Sequence, residues 1–220
     1  MKDPVRRFFS QADQERIRDC VREIEKTTSG ELVPMIVPAS SHYPGAGALG
    51  AMIVGFAVAF LADIALGFAR LWQGFQPLDI WLFPAVFGVV FLAVLALERL
   101  FPSLKRPFIH DADSVTEVAE AAFAAFYRHG LAHTRDRTGV LIFISIFERK
   151  VRVIADEGIH AKVGEESWKR AVEMIAGGFR SGLPTEAVCD AIAYCGKLLS
   201  EHFPRKRGDT DELENLIVEH

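Results

Sequence analysis

Two apolar runs decide how this chain is built: Gly47–Gly67, GALGAMIVGFAVAFLADIALG, and Leu78–Leu97, LDIWLFPAVFGVVFLAVLAL. The first carries a single charge, Asp63, and the second a single charge near its start, Asp79. Each has about the 20 residues that a helix needs to cross the hydrocarbon core of a bilayer. The short segment Phe68–Pro77 joins them, so the pair predicts a membrane-spanning helical hairpin. Small residues recur every fourth position of the first run, at Gly47, Ala51, Gly55 and Ala59, and share one helix face. Such a face allows close backbone approach. It serves packing on the second run or, alternatively, homodimerisation. Trp72 and Trp81 flank the connection, where interfacial aromatics sit. Asp63 is an intramembrane acidic residue and therefore a functional candidate. It also stands near Gly67 and Arg70, which makes it readable as a hydrated or Arg-paired end-of-span carboxylate. The competing reading is the lining of an oligomeric pore.

Flanking charge gives the orientation. Phe68–Pro77 contains only Arg70, whereas Arg99, Lys105 and Arg106 follow the second run. The positive-inside rule then places both ends of the hairpin, and the soluble parts with them, on the cytoplasmic side of the plasma (inner) membrane. Three scattered cysteines, Cys20, Cys189 and Cys195, have no CxxC spacing and are expected to stay unpaired in a reducing compartment. No apolar h-region follows the basic start MKDPVRR, so no secretory signal is expected. The net charge of −4 argues against a nucleic-acid partner.

Away from the hairpin the chain is charged and patterned. Ser10 and Asp13 cap a helix over Gln11–Thr28 with Ile17, Cys20, Val21 and Ile24 inward, and Gly30 offers a left-handed stop. Phe8 and Phe9 pack on that helix or touch the membrane surface. ELVPMIVP (Glu31–Pro38) reads as a strand, with Pro34 favouring an edge. Ser114 and Glu117 form a capping box for a helix reaching Gly130. VLIFISIF (Val140–Phe147) is apolar throughout, as a strand buried on both faces would be. Glu148-Arg149-Lys150 turns it into VRVIAD (Val151–Asp156), giving a β-hairpin. Helices follow over Glu165–Phe179 and Pro184–His202. The tail is mobile or docks through Leu213, Leu216, Ile217 and Val218.

The expected fold is α/β (α+β), a mixed sheet sandwiched by helices and interrupted by the two-helix hairpin. The expected domains are residues 1–44 and 101–204 as two parts of one soluble domain, 45–100 as the hairpin, and 205–220 as a polar tail. Each soluble part is too short for a strong core alone, so the two are expected to fold together.

Several groups carry candidate chemistry. A strand hairpin brings Asp136 to the same edge as Asp156 and Glu157, where hard carboxylate oxygens could take Ca²⁺ or Mg²⁺; His160 stands nearby. The plainer reading is a solvated acidic loop. His129 and His133 have the four-residue spacing of a zinc pair, but Gly130 falls between them and no third ligand is indicated. His110-Asp111-Ala112-Asp113 resembles an aspartate-nucleophile signature, yet no buried strand precedes it, and helix capping explains it. No P-loop, GxSxG or dinucleotide fingerprint occurs.

DRTGVLIFISIFERKVRVIADEGIHAKV (Asp136–Val163), with the helices around it in order, resembles the TPM domain family of thylakoid-lumen, photosystem-assembly and receptor-modulator proteins. The resemblance implies a mixed sheet between helices. It also implies either a role in assembling or modulating other membrane proteins, or weak metal-dependent phosphatase activity with divalent cations near the acidic turn. Arg137-Thr138-Gly139 replaces the family's usual Asn-Gly, and the hairpin lies within the domain. The expected function is thus a membrane-anchored protein of this type that binds the lipid bilayer and another membrane protein or a further copy of itself. The alternative is a weak phosphatase.

Overall fold

The computed structural model describes residues 4–69, 79–206 and 212–219. Its centre is β2, Gly139–Ser145, all seven residues of which are buried. The expected two-sided burial is therefore observed. β1, Glu31–Val37, pairs parallel with β2 along its length, and β3, Lys150–Ala155, pairs antiparallel on the other side. β4, Ile217–Val218, adds to the far side of β1, so the sheet runs β3-β2-β1-β4. The apolar end of the tail thus docks as a short strand.

β1 lies inside the sheet despite Pro34, against the expectation of an edge. Glu31 N–H donates to Thr138 O and Ile146 N–H donates to Val37 O, so the odd positions of β1 face β2. Pro34 falls on the alternate set, facing β4, which pairs only with Met35 and Ile36. The missing N–H costs no bond to β2.

Alternation along the strands builds two cores. Leu32, Ile36, Val140, Ile142 and Ile144 face α2 (Gln11–Glu25), α7 (Glu165–Ser181) and α8 (Pro184–His202). Val33, Met35, Val37, Leu141 and Phe143 face α5, Asp111–Arg128. The expected sandwich is what period-2 patterning on a two-sided sheet requires. At the start of α2, Ser10 N–H donates to Asp13 Oδ2 at 2.8 Å and Asp13 N–H donates to Ser10 Oγ at 3.2 Å. Before it, α1 (Pro4–Phe8) leads into Phe9, which is fully buried and meets Phe179 of α7 edge-on at 5.9 Å.

Several local readings are corrected. α2 ends at Glu25, and Gly30 is not left-handed; a Cβ there would lie 3.2 Å from Leu199, so Gly30 serves close packing. α5 starts at Asp111, which puts Ser114 inside the helix and buried rather than at its cap. Gly130, with φ of 78°, ends α5, and His133 belongs to a separate 3₁₀ turn, Leu131–His133. His129 and His133 therefore do not share a helix face. Cys20 and Cys189 are not free: they form a disulfide between α2 and α8, with Cα atoms 5.8 Å apart. Disulfides persist in oxidising compartments, so the cysteines no longer support a cytoplasmic soluble unit.

The chain divides into two compact units, residues 1–41 with 114–220, and residues 42–113. The second contains α3, Pro44–Ala69, and α4, Asp79–Leu100, packed as a hairpin, followed by the 3₁₀ segment Pro102–Phe108. Both helices are long and apolar enough to cross a membrane, with mean hydropathies of 2.3 and 2.6. Gly47, Ala51, Gly55 and Ala59 are all buried in α3. A Cβ on Gly55 would stand 3.3 Å from the Phe87 ring, so this face packs within the hairpin. Large apolar side chains point outward, among them Leu61, Val89 and Leu92. Arg70 and Trp72 lie outside the described residues.

Candidate functional site

Two loops meet at the end of the sheet where β2 begins and β3 ends. In the first, Arg137 N–H donates to Thr134 O at 3.1 Å and Thr138 N–H donates to Thr134 Oγ1 at 3.0 Å. Thr138 Oγ1–H donates to Ser29 O at 3.0 Å, and Arg137 takes a left-handed φ of 52°. In the second, Asp156 caps a short helix, α6, Glu157–His160, by accepting the Glu157 N–H at 2.7 Å. A Cβ on Gly158 would lie 2.7 Å from Arg137 O, so glycine permits the loops to touch.

The backbones carrying Asp136, Asp156 and Glu157 are thus brought together, but their carboxylates are engaged separately. Asp136 accepts from Lys206 Nζ at 2.6 Å, and that bond holds its carboxyl below the usual carboxylate range. Glu157 is exposed, with Arg137 Nη1 3.7 Å away. Asp156 is buried; its Oδ1 caps α6, while Oδ2 is enclosed without a hydrogen-bond partner among the described residues. That orphaned oxygen is the feature of the site that suits a cation. The neighbouring Lys206 and Arg137 work against one, because they already neutralise the other two carboxylates. Among the described residues, no group of three or more His, Cys, Asp or Glu side chains is arranged to hold a metal ion. His160 is exposed at the end of α6.

Asp63 is exposed on α3. Its expected partner, Arg70, lies outside the described residues. Asp111 and Asp113 occupy the first turn of α5, where carboxylates favour the positive helix end.

Two features escaped the sequence reading. Glu98, in α4, is only 3 % exposed. It rests on the glycine face of α3, with Oε1 3.4 Å from where a Gly50 Cβ would be. Its signal was a lone charge one residue past an apolar run. The second is the place of β3 at the end of the sheet; a strand's sequence does not say whether it lies at the sheet's margin.

Comparison with known proteins gives two findings. Residues 102–198 match the family model described as the TPM domain, which spans the segment from the start of the Pro102–Phe108 turn to most of α8. The NMR structure of BA42 protein from the psychrophilic bacterium Bizionia argentinensis is similar, with a TM-score of 0.57 at 18 % identity over 96 % of this chain and 94 % of that one. At this identity the likeness is one of fold. No curated protein matches.

Proposed function

We propose that this TPM-domain chain is anchored in a membrane by the α3–α4 hairpin and acts by binding, assisting or modulating another membrane protein. The observation that carries this is the outer surface of the hairpin. α4 is apolar and its most hydrophobic stretch is unburied. An outward apolar surface of that extent would have to be covered by lipid or protein. The α/β unit favours binding, since Lys206 stands against Asp136 and Arg137 against Glu157.

The Cys20–Cys189 disulfide supports placing that unit in an oxidising compartment. The bias of Arg99, Lys105 and Arg106 favours the opposite side. The covalent bond carries more weight, because it needs an oxidant to form, whereas so small a charge excess is a statistical preference.

Alkaline carbonate extraction tests the anchor: the chain should stay with the membrane pellet, and release into the supernatant would refute it. Crosslinking in native membranes tests binding, with a membrane protein expected in fixed stoichiometry; its absence would refute the role. Acid trapping and alkylation in intact cells tests the compartment, since free Cys20 and Cys189 would return the soluble unit to the cytoplasm.

The orphaned Asp156 Oδ2 favours a second reading, a Ca²⁺ or Mg²⁺ site with weak phosphatase activity. Metal titration should then raise the melting temperature in the wild type and not in Asp156→Asn. Phosphate-ester hydrolysis that survives in Asp136→Asn and Asp156→Asn would remove this reading.

A further inference from the structure

The two faces of the sheet are covered unequally. On one, α2, α7 and α8 share the cover; on the other, α5 is the one long helix among the described residues. It lies against β1 and β2, and β3 extends beyond it at the end of the sheet. On that face of β3, Ile154 is only half-buried and Arg152 is exposed. A sheet face of this kind is normally completed by a further helix.

The flank of α5 that overlooks β3 is itself apolar. Val115, Ala119, Phe123 and Tyr127 recur every fourth position and share a helix face. Val115, Phe123 and Tyr127 are each more than half exposed, and the Phe123 and Tyr127 rings meet at 4.8 Å. A groove lies on each side of β3, one walled by α7 and the other, of about 540 Å³, walled by Ala119, Glu120 and Phe123 of α5. Charge is opposed across this second groove. Glu120 is exposed on the α5 rim and Arg152 on the β3 rim, and neither makes an ion pair among the described residues.

That arrangement selects a second copy. A two-fold axis running along the groove would lay the α5 of each copy over the β3 of the other. Each rim then faces the opposite rim of the copy, so Glu120 meets Arg152 twice and like charges do not face each other. A partner of one charge sign would match one rim and be repelled by the other. The copy also brings what the β3 face lacks, a helix with an apolar flank. We infer that two copies of this chain associate through the α5 flank and the β3 face, with Phe123 at the centre and a Glu120–Arg152 pair on either side. The small-residue face of α3 is taken up within the hairpin and is a different surface. The inference needs no other protein and goes beyond the role proposed above.

The test uses the full chain in density-matched detergent micelles, with mass followed by sedimentation equilibrium over a dilution series. A dimer that dissociates on dilution is expected. Glu120→Arg sets two basic rims together and Arg152→Glu two acidic ones, so each should weaken the dimer by about tenfold or more. Mixed in equal amounts, the two variants should regain wild-type affinity, because both contacts of the mixed dimer again join unlike charges. Phe123→Ser should weaken association without unfolding the chain, since the ring is 56 % exposed. A chain that stays monomeric at every concentration would overturn the inference. So would a dimer indifferent to both charge reversals, or reversals that weaken it and are not rescued by mixing. Should a reversal fail to fold, Arg152→Gln and Phe123→Ser must each still weaken the wild-type dimer, and no change in either would count equally against it. A membrane protein crosslinked to a chain that is monomeric in micelles would uphold the modulating role and sink self-association alone.

Discussion

The Cys20–Cys189 bond makes the most demanding prediction. It joins α2 to α8 across a sequence separation of 169. In the chain-entropy account, closing a loop of that length removes about 5 kcal/mol of unfolded-state freedom at 25 °C. If the hairpin stays in the bilayer while the α/β unit unfolds, the free loop shortens to roughly 100 residues and the value becomes about 4.7 kcal/mol. The dependence is logarithmic, so the embedded segment matters little. Residual structure in the unfolded chain brings the expectation to about 2–4 kcal/mol. For a chain of this size, that is a fall in melting temperature of roughly 5–15 °C. The assay is a near-ultraviolet circular-dichroism melt of the full chain in detergent, oxidised and reduced. The double variant Cys20→Ser/Cys189→Ser serves as a reductant-free counterpart, and intact mass after alkylation reports the bond. Melts that coincide within about 1 °C would refute the reasoning, as would two free thiols in freshly isolated protein.

Other outcomes follow from single sites. Burial pushes the Cys195 thiol up to about 12, so at pH 8 almost no thiolate exists there; a thiol-titrating reagent should find none in the native chain, Cys20 and Cys189 after reduction, and Cys195 only on denaturation. Lys206 lowers the Asp136 carboxyl below its ordinary 3.8, so this contact contributes above the unfolded value and is lost as pH falls through the folded one. An NMR titration of Asp136 with a midpoint at or above 3.8 would contradict it. Ile142→Ala, at a fully buried position of the central strand, should cost about 2–5 kcal/mol in denaturant melts. Gly55→Leu should drive α3 from the Phe87 ring and abolish engineered-cysteine crosslinking between α3 and α4, whereas Gly67→Leu, which meets nothing within 4 Å, should not.

Local chemistry made much of the fold readable. VLIFISIF has the unbroken apolar character of a strand covered on both faces, and β2 is that strand. Pro184 and Pro204 bracket α8 because one suits a first turn and the other cannot continue a helix. The Ser10–Asp13 box needs only residues three apart. Ser114 misled because capping residues also occur inside a first turn, and Asp111 was an equally good start. Pro34 misled because its penalty depends on which side of the strand its missing N–H falls.

The candidate site was legible as a meeting of loops and not as a set of contacts. A β-hairpin requires Asp136 and Asp156 to share an edge, so their proximity follows from sequence order. That Lys206 would occupy Asp136 depends on where the chain returns after α8, which no local pattern records.

By itself the sequence determined two apolar helices, the order of the longer helices and of β1, β2 and β3 around them, and the inward stripe of the amphipathic helices, because these depend on periodicity over a few residues. Tertiary structure decided the rest. It paired Cys20 with Cys189, put β1 inside the sheet, enclosed Glu98 on the glycine face of α3, and left β3 at the margin between two grooves. Each is a contact between residues distant along the chain, whose geometry exists only once the sheet and helices have packed.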